Sequence, residues 1–250
     1  MISVIICTYN RSDLLSIAIK SVLLQTYKDI ELIIIDDAST DDTGILIGSL
    51  TDERIKYYKN NINLGISKSR NLGISMARGE YIAMLDSDDY WLDNNKLQKQ
   101  LNIFNQDSRV GLVGTGIICF NEKGIKIKED IFKTQDNSIR KKILFKNQFA
   151  QSSVLFKKEV FNLVAGYDES LVVCEDFDLW LKIGRNFRLA NIGEPLVAYL
   201  IHNEGISKKN KYKIAIVTNQ IINKYKKDYP GYFKAKLKSI LRIFLSLWSI

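Results

Sequence analysis

Three short runs of β-branched and aliphatic residues, SVIIC at 3–7, ELIII at 31–35 and YIAML at 81–85, each stop abruptly at polar residues, and helical patterns fill the intervals. Runs this short and apolar read as strands buried on both faces. Behind the turn TYNRSD, residues 14–24 repeat apolar positions at helical spacing, with Ser12 or Asp13 as the N-cap. Residues 43–50 read as a second helix, 55–58 as a shorter strand, and 67–77 as a third helix closed by Arg78 and Gly79. The order βαβαβαβ argues for an α/β fold with a doubly wound parallel sheet flanked by helices.

Later segments are less regular. A helix is expected over 96–104, then a strand over 110–120 that turns at Asn-Glu-Lys-Gly into a hairpin. Residues 125–147 are mostly polar and read as a loop with a helix near 138–145. A strand at 152–156, helices at 158–164 and 176–183, and a closing strand at 196–201 complete the main domain, 1–207.

The fourth strand ends in Asp86, Asp88 and Asp89, three acids in four positions. Carboxylates about 4 Å apart repel by roughly 4 kcal/mol at an effective dielectric near 20. Two readings fit: a shared cation, or an Asp-rich turn that caps the next helix. In a parallel sheet the polar strand ends Thr8-Tyr9-Asn10-Arg11, Asp36-Asp37 and Asp86-Asp89 share one edge, where open α/β sheets bind ligands. No glycine-rich phosphate loop is present, so a diphosphate there would be held through a divalent ion. Oxygen-only ligands favour Mg²⁺ or Mn²⁺ over zinc.

Three scattered cysteines and one histidine exclude a disulfide framework and a multi-histidine metal centre, and suit a reducing cytosol. The start, MISVIICTYN, lacks the basic lead and longer apolar core of a secretory signal, and no uninterrupted apolar run reaches membrane-spanning length. A cytoplasmic chain, peripheral at most on the inner face of the cell membrane, is therefore expected. Residues 208–250 carry eleven Lys or Arg against one acid, a balance of +10 within a chain total of +8, which leaves the first 207 residues at −2. Basicity confined to the tail argues against nucleic acid as a partner of the main domain.

VIICTYNR at 4–11, IIIDDASTDDT at 33–43, NLGISKSRNLGISMARGEYIAMLDSDD at 63–89, GYDESL at 166–171 and EDFDLWLK at 175–182 together resemble the family 2 nucleotide-sugar glycosyltransferases with the GT-A fold. The resemblance spans about residues 1–205 and implies an α/β fold with a mixed, mainly parallel sheet flanked by helices, which leaves 208–250 as a basic amphipathic helical tail. It implies inverting transfer of a sugar, from a UDP-sugar above other donors, to a hydroxyl of a glycan or lipid-linked glycan acceptor during assembly of bacterial surface polysaccharide such as capsule or O-antigen. Mg²⁺ or Mn²⁺ is the implied cofactor. Thr8, Tyr9, Asn10 and Arg11 look like the loop bordering the nucleotide. Asp37, with Asp36 as its neighbour, resembles the acceptor of the uracil imide hydrogen bond, and Arg70 a basic residue near the nucleotide. Asp86 and Asp88 match a DxD motif, the first near ribose or sugar and the second on the metal; Asp89 is the competing metal ligand, and His202 resembles a late His near the diphosphate or metal. Asp176 resembles the base, and Gln151-Ser152-Ser153 lies where relatives line the sugar or acceptor pocket.

Each assignment has a plainer rival. Glu175, Asp176 and Asp178 open a helix, where each acid gains about 0.3–1 kcal/mol from the helix dipole without any catalytic role. Arg70 could form a surface salt bridge, and His202 an ordinary hydrogen bond. Trp180 falls on the apolar helical face and reads as core. The last stretch, FKAKLKSILRIFLSLWSI, reads either as an interfacial helix on an anionic membrane or as a helix packed on protein. Rival functions are a non-catalytic glycosyltransferase-like scaffold and a sugar nucleotidyltransferase; the latter normally needs a glycine-rich basic loop where TYNRSD stands.

Overall fold

The computed structural model describes residues 1–202, 205, 208 and 210–247. Its first half alternates as expected: β1 (Ile2–Thr8), α1 (Ser12–Leu23), β2 (Ile30–Asp36), α2 (Thr43–Gly48), β3 (Ile55–Lys59), α3 (Ile66–Met76) and β4 (Tyr81–Asp86). Then follow β5 (Tyr90–Trp91), α4 (Lys96–Gln106), β6 (Val110–Asn121), β7 (Lys126–Asp130), α5 (Asp136–Ile143), a 3₁₀ turn (Gln151–Ser153), β8 (Leu155–Lys157), α6 (Lys158–Leu163), α7 (Glu175–Asn186) and β9 (Arg188–Ile201). Two tail helices, α8 (Lys211–Lys224) and α9 (Tyr232–Leu247), complete the described chain.

The sheet runs β3-β2-β1-β4-β8-β6-β9-β5, with β7 paired to β6. Strands β3, β2, β1 and β4 are parallel, β8 runs antiparallel to both β4 and β6, and β6 and β9 are parallel again. Every residue of β1 and β2 is buried, because helices cover both faces; most of the side chains are therefore apolar whichever way they point, and Ser3 donates to Glu31 at 2.6 Å. Alternate residues feed two cores. Ile5, Ile33, Ile35, Ile82 and Met84 pack with Ile74 of α3 and Trp180 of α7, while Val4, Ile6, Leu32, Ile34 and Leu85 pack with α1 and α4. Trp180 is fully buried, as its helical face required.

Register sets the functional edge. Thr8 pairs with Asp36, and Cys7 with Asp86, so the polar ends of β1, β2 and β4 finish side by side. The cap of α1 differs from expectation: Arg11 is the N-cap residue, without a side-chain capping bond, and the Ser12 amide donates to Asp41 of the loop after β2 at 3.0 Å. The 125–147 region is more ordered than its polarity suggests, because β7 completes the hairpin with β6 and Ile139 and Ile143 bury α5 against the core.

The tail shares that core. Ile221, Ile222, Tyr225, Tyr229 and Ala235 pack in one cluster with Trp180 and Leu181, and the Tyr229 hydroxyl donates to the Leu181 carbonyl at 2.7 Å. Asp178, fully buried on α7, accepts from Lys224 at 2.7 Å and from Tyr225 at 3.0 Å. A methyl group at Gly184 would lie 2.4 Å from the Tyr229 hydroxyl. Gly184→Ala should therefore push that ring aside and cost about 1–3 kcal/mol, seen as a lower urea midpoint at unchanged slope.

Candidate active site

Three loops meet at the carboxyl edge of β1, β2 and β4. The β1–α1 loop turns at Asn10, whose φ of 51° is a left-handed conformation that asparagine tolerates. Asn10 donates its backbone N–H to the Ser39 hydroxyl at 2.9 Å, and its side-chain oxygen accepts from the Thr40 amide at 2.8 Å. These two bonds lock the loop onto the segment after β2. Thr8 is buried with no hydrogen-bond partner for its hydroxyl among the described residues, whereas Tyr9 is 48% exposed.

Asp36 and Asp37, adjacent in sequence, do different things. Asp36 accepts from the Ser39 amide at 2.7 Å and from the Tyr57 hydroxyl at 2.6 Å. Asp37 accepts from Asn60 at 2.8 Å, from the Leu64 amide at 2.8 Å and from the Gly65 amide at 2.9 Å, pinning the entry to α3. A carboxylate offers about four lone-pair sites, so these three bonds leave Asp37 one.

The acid cluster divides its roles. Asp88 accepts from His202 Nε2 at 2.8 Å and from the Arg11 guanidinium. Burial opposes its charge, but the His202 bond and Arg11 outweigh it and hold the carboxyl below the ordinary range. Asp89 turns inward. It is 2% exposed, with one oxygen accepting from the Ser152 hydroxyl and the other from the Leu200 amide at 3.0 Å. Burial, then the charges of Asp88 and Asp86, push its carboxyl well above the ordinary range. The inner acid thus sheds charge while the outer one keeps it. Ser152, expected beside a sugar pocket, is fully buried and also receives the Asp86 amide at 3.1 Å; Gln151 donates to the Tyr167 hydroxyl.

Arg70 links this cluster to α7. Almost fully buried, it donates to Asp86 at 2.6 Å and to Glu175, so it is an internal bridge and not a surface pair. Asp86 remains raised by burial despite Arg70. Glu175 is the first residue of α7, entered through Cys174 in a left-handed conformation at φ 61°. Asp176 follows. One oxygen accepts from the Phe177 amide at 2.7 Å and the other lies 3.4 Å from the Asn147 amide nitrogen. Burial first, then the Glu175 charge, raise its carboxyl to about 7, against the opposing pull of Arg70. A carboxyl poised there can exchange a proton near neutral pH.

The family model for glycosyl transferase family 2 matches residues 3–162. The chain is a family 2 glycosyltransferase. Relatives of this glycosyltransferase include the O-antigen biosynthesis glycosyltransferase WbnJ of Escherichia coli, 38% identical over 83% of this chain and 82% of the relative. A second, UDP-Glc:alpha-D-GlcNAc-diphosphoundecaprenol beta-1,3-glucosyltransferase WfaP of Escherichia coli, is 31% identical over 89% of this chain and 85% of the relative. The fold is that of GT-A transferases. S. aureus TarS in complex with UDP-GlcNAc superposes with a TM-score of 0.74 at 19% identity, over 97% of this chain and 72% of that one. Mannosyltransferase PcManGT from Pyrobaculum calidifontis, in complex with GDP-Man and Mn²⁺, gives 0.71 at 20% identity, over 97% and 69%.

In this glycosyltransferase the edge therefore brings Thr8 to Arg11, Asp37, Asp86 and Asp88 together, with His202 joined to Asp88 and Asp176 reached through Arg70 and Glu175. A cavity of about 410 Å³ opens beside His202, walled by Asn121, Lys123, Ile125 and Ile127 of the β6–β7 hairpin. Sequence reasoning missed Glu175 as Arg70's partner, and Ser39, Asn60 and Asn147 as supports. Only the pairing of Arg70 with an acidic helix start offered a signal, and it names no partner.

Among the described residues no group of three or more His, Cys, Asp or Glu is arranged to hold a metal ion by protein atoms alone. Asp88 and His202 nevertheless form a suitable pair. Mg²⁺ and Mn²⁺ in phosphate sites commonly take one or two carboxylates plus the substrate's oxygens, and imidazole is compatible with the transition metal. The Arg11 guanidinium already shows that Asp88 concentrates positive charge.

Proposed function

We propose that this family 2 glycosyltransferase is an inverting, metal-dependent enzyme. It transfers a sugar from a UDP-sugar to a hydroxyl of a lipid-linked glycan during assembly of surface polysaccharide, at the inner face of a membrane. The observation that carries the reading is Asp176, a carboxyl at about 7 whose modest partners are Asn147 and its own helix, on an arm that Arg70 ties to the donor-side Asp86. UDP-Glc in WfaP's name and UDP-GlcNAc in the TarS complex support the donor class; diphosphoundecaprenol in WfaP's name and O-antigen in WbnJ's support the acceptor. Mn²⁺ in the PcManGT complex supports the cofactor.

In this reading Asp176 accepts the acceptor hydroxyl's proton as its oxygen attacks the anomeric carbon from the face opposite the diphosphate, and the bond from that carbon to the diphosphate breaks. Thr8, Tyr9, Asn10, Asp37 and Arg70 border the nucleotide, with Asp86 near ribose or sugar. Asp88 and His202 would hold Mg²⁺ or Mn²⁺, which supplies charge stabilisation of the departing diphosphate. Asp89, the next residue, is anchored inward by Ser152 and Leu200.

A screen of nucleotide sugars with Mn²⁺, followed by NMR of the new glycosidic bond, tests the reading. An α-linked donor should yield a β-linked product; retention would rule out Asp176 as the base of a single displacement. Asp88→Asn should weaken metal-dependent UDP binding at least tenfold in calorimetry while binding without metal changes little.

A further inference from the structure

Helix α9 packs through Ala235, Ser239 and Ser246 and leaves its opposite side bare. Phe233, Leu237, Ile240, Leu241 and Phe244 recur at helical spacing along that side, all exposed, Phe233 at 85%. The stripe is about 17 Å long at 1.5 Å per residue. Lys234, Lys238 and Arg242, four residues apart, form one exposed flank. That flank meets the end of α5, where Lys238 donates to the Phe145 carbonyl at 3.0 Å and lies 4.0 Å from its ring centre. Lys141, Lys142 and Phe145 are exposed there too.

We infer that this composite face, α9 with the end of α5, docks on an anionic lipid bilayer and brings the base side of the active site to it. Charge complementarity selects the occupant. The helix carries no acid, and cations crowd its flank: burial, then Arg242 and Lys146, lower the pKa of Lys238. Anionic headgroups relieve that crowding while the stripe enters the acyl boundary. A second copy of this chain would bring the same cations to the seam. No helix among the described residues is long and apolar enough to cross a membrane, so the contact is interfacial. The active site lies close by, since Asn147, two residues after Phe145, reaches Asp176. Trp248, on the same stripe by sequence, lies outside the described residues.

The surface rests on the lipid-linked acceptor of the proposed function only for its purpose; docking can be measured without donor or acceptor. Full-length protein is sedimented with phosphatidylcholine vesicles and with vesicles containing phosphatidylglycerol. Binding to the anionic vesicles should exceed binding to the neutral ones. The joint change of Lys234, Lys238 and Arg242 to Gln should cut it on the order of fivefold per cation removed. Leu241→Glu with Phe244→Glu should reduce it at least tenfold, with circular dichroism and UDP binding unchanged. Equal recovery with both vesicle types, or full binding by both variants, overturns the inference. So does a dimer that Leu241→Glu splits while vesicle binding persists. If vesicles bind but no UDP-sugar is turned over, the proposed function fails and the docking surface stands.

Discussion

Asp176→Asn is expected to lower glycosyl transfer by about 10²–10⁴-fold, the usual contribution of a positioned base, while UDP binding measured by calorimetry stays within about twofold. Asparagine keeps the size and the bonds to the Phe177 amide but cannot take a proton. Wild-type kcat/KM should rise with pH through about 7 and level off above it, because the base works only when ionised and burial with the Glu175 charge raises its carboxyl to about 7. The variant's residual rate should lose that limb. Transfer by Asp176→Asn at the wild-type rate would remove Asp176 from the chemistry and favour a scaffold that binds nucleotide sugar without using this acid.

Arg70→Met should be the most destabilising single change in the site. It leaves Asp86 and Glu175 facing each other's charge in a buried setting with their shared cation gone. Breaking a buried pair by removing one partner costs about 3–5 kcal/mol, or roughly 6–20 °C in Tm for a chain of this size. The deficit should shrink as pH falls. Asp86 is already raised by burial, Arg70 opposes that rise, and its loss lets Asp86 keep its proton at higher pH, where the native state then binds more protons than the unfolded chain. Thermal melts at pH 5 and pH 8 check this; an equal deficit at both would mean that Arg70 acts through packing against Tyr167 and not through charge.

The alternating first half of the fold was legible because strands buried on both faces are largely apolar runs, and SVIIC, ELIII and YIAML are short, β-branched or aliphatic and bounded by polar turns. The edge that gathers Thr8, Asp36 and Asp86 follows from parallel connection alone. The 125–147 region was legible only in outline, as a hairpin turn and a helix near 138–145. Its hairpin and helix are secured by a few buried residues such as Ile139 and Ile143 among many charges, so tertiary contact supplies what local pattern does not. The tail reads as helical, but its docking was hidden: Ile221, Tyr225 and Tyr229 enter the main core from a segment whose composition reads as separate.

Sequence by itself therefore determined the doubly wound architecture, the functional edge and the short set of acids from which a site had to be drawn, since these depend on periodicity and spacing along the chain. Only the tertiary structure divided the labour within that set. Asp88 and Asp89 are neighbours of the same type, yet one meets His202 and Arg11 while the other meets Ser152 and Leu200. Arg70 finds Glu175 across 105 residues. The physical reason is that a carboxyl's charge, and hence its role, is set by burial and by the groups within a few ångströms in space, and the order of residues along the chain does not encode those distances locally.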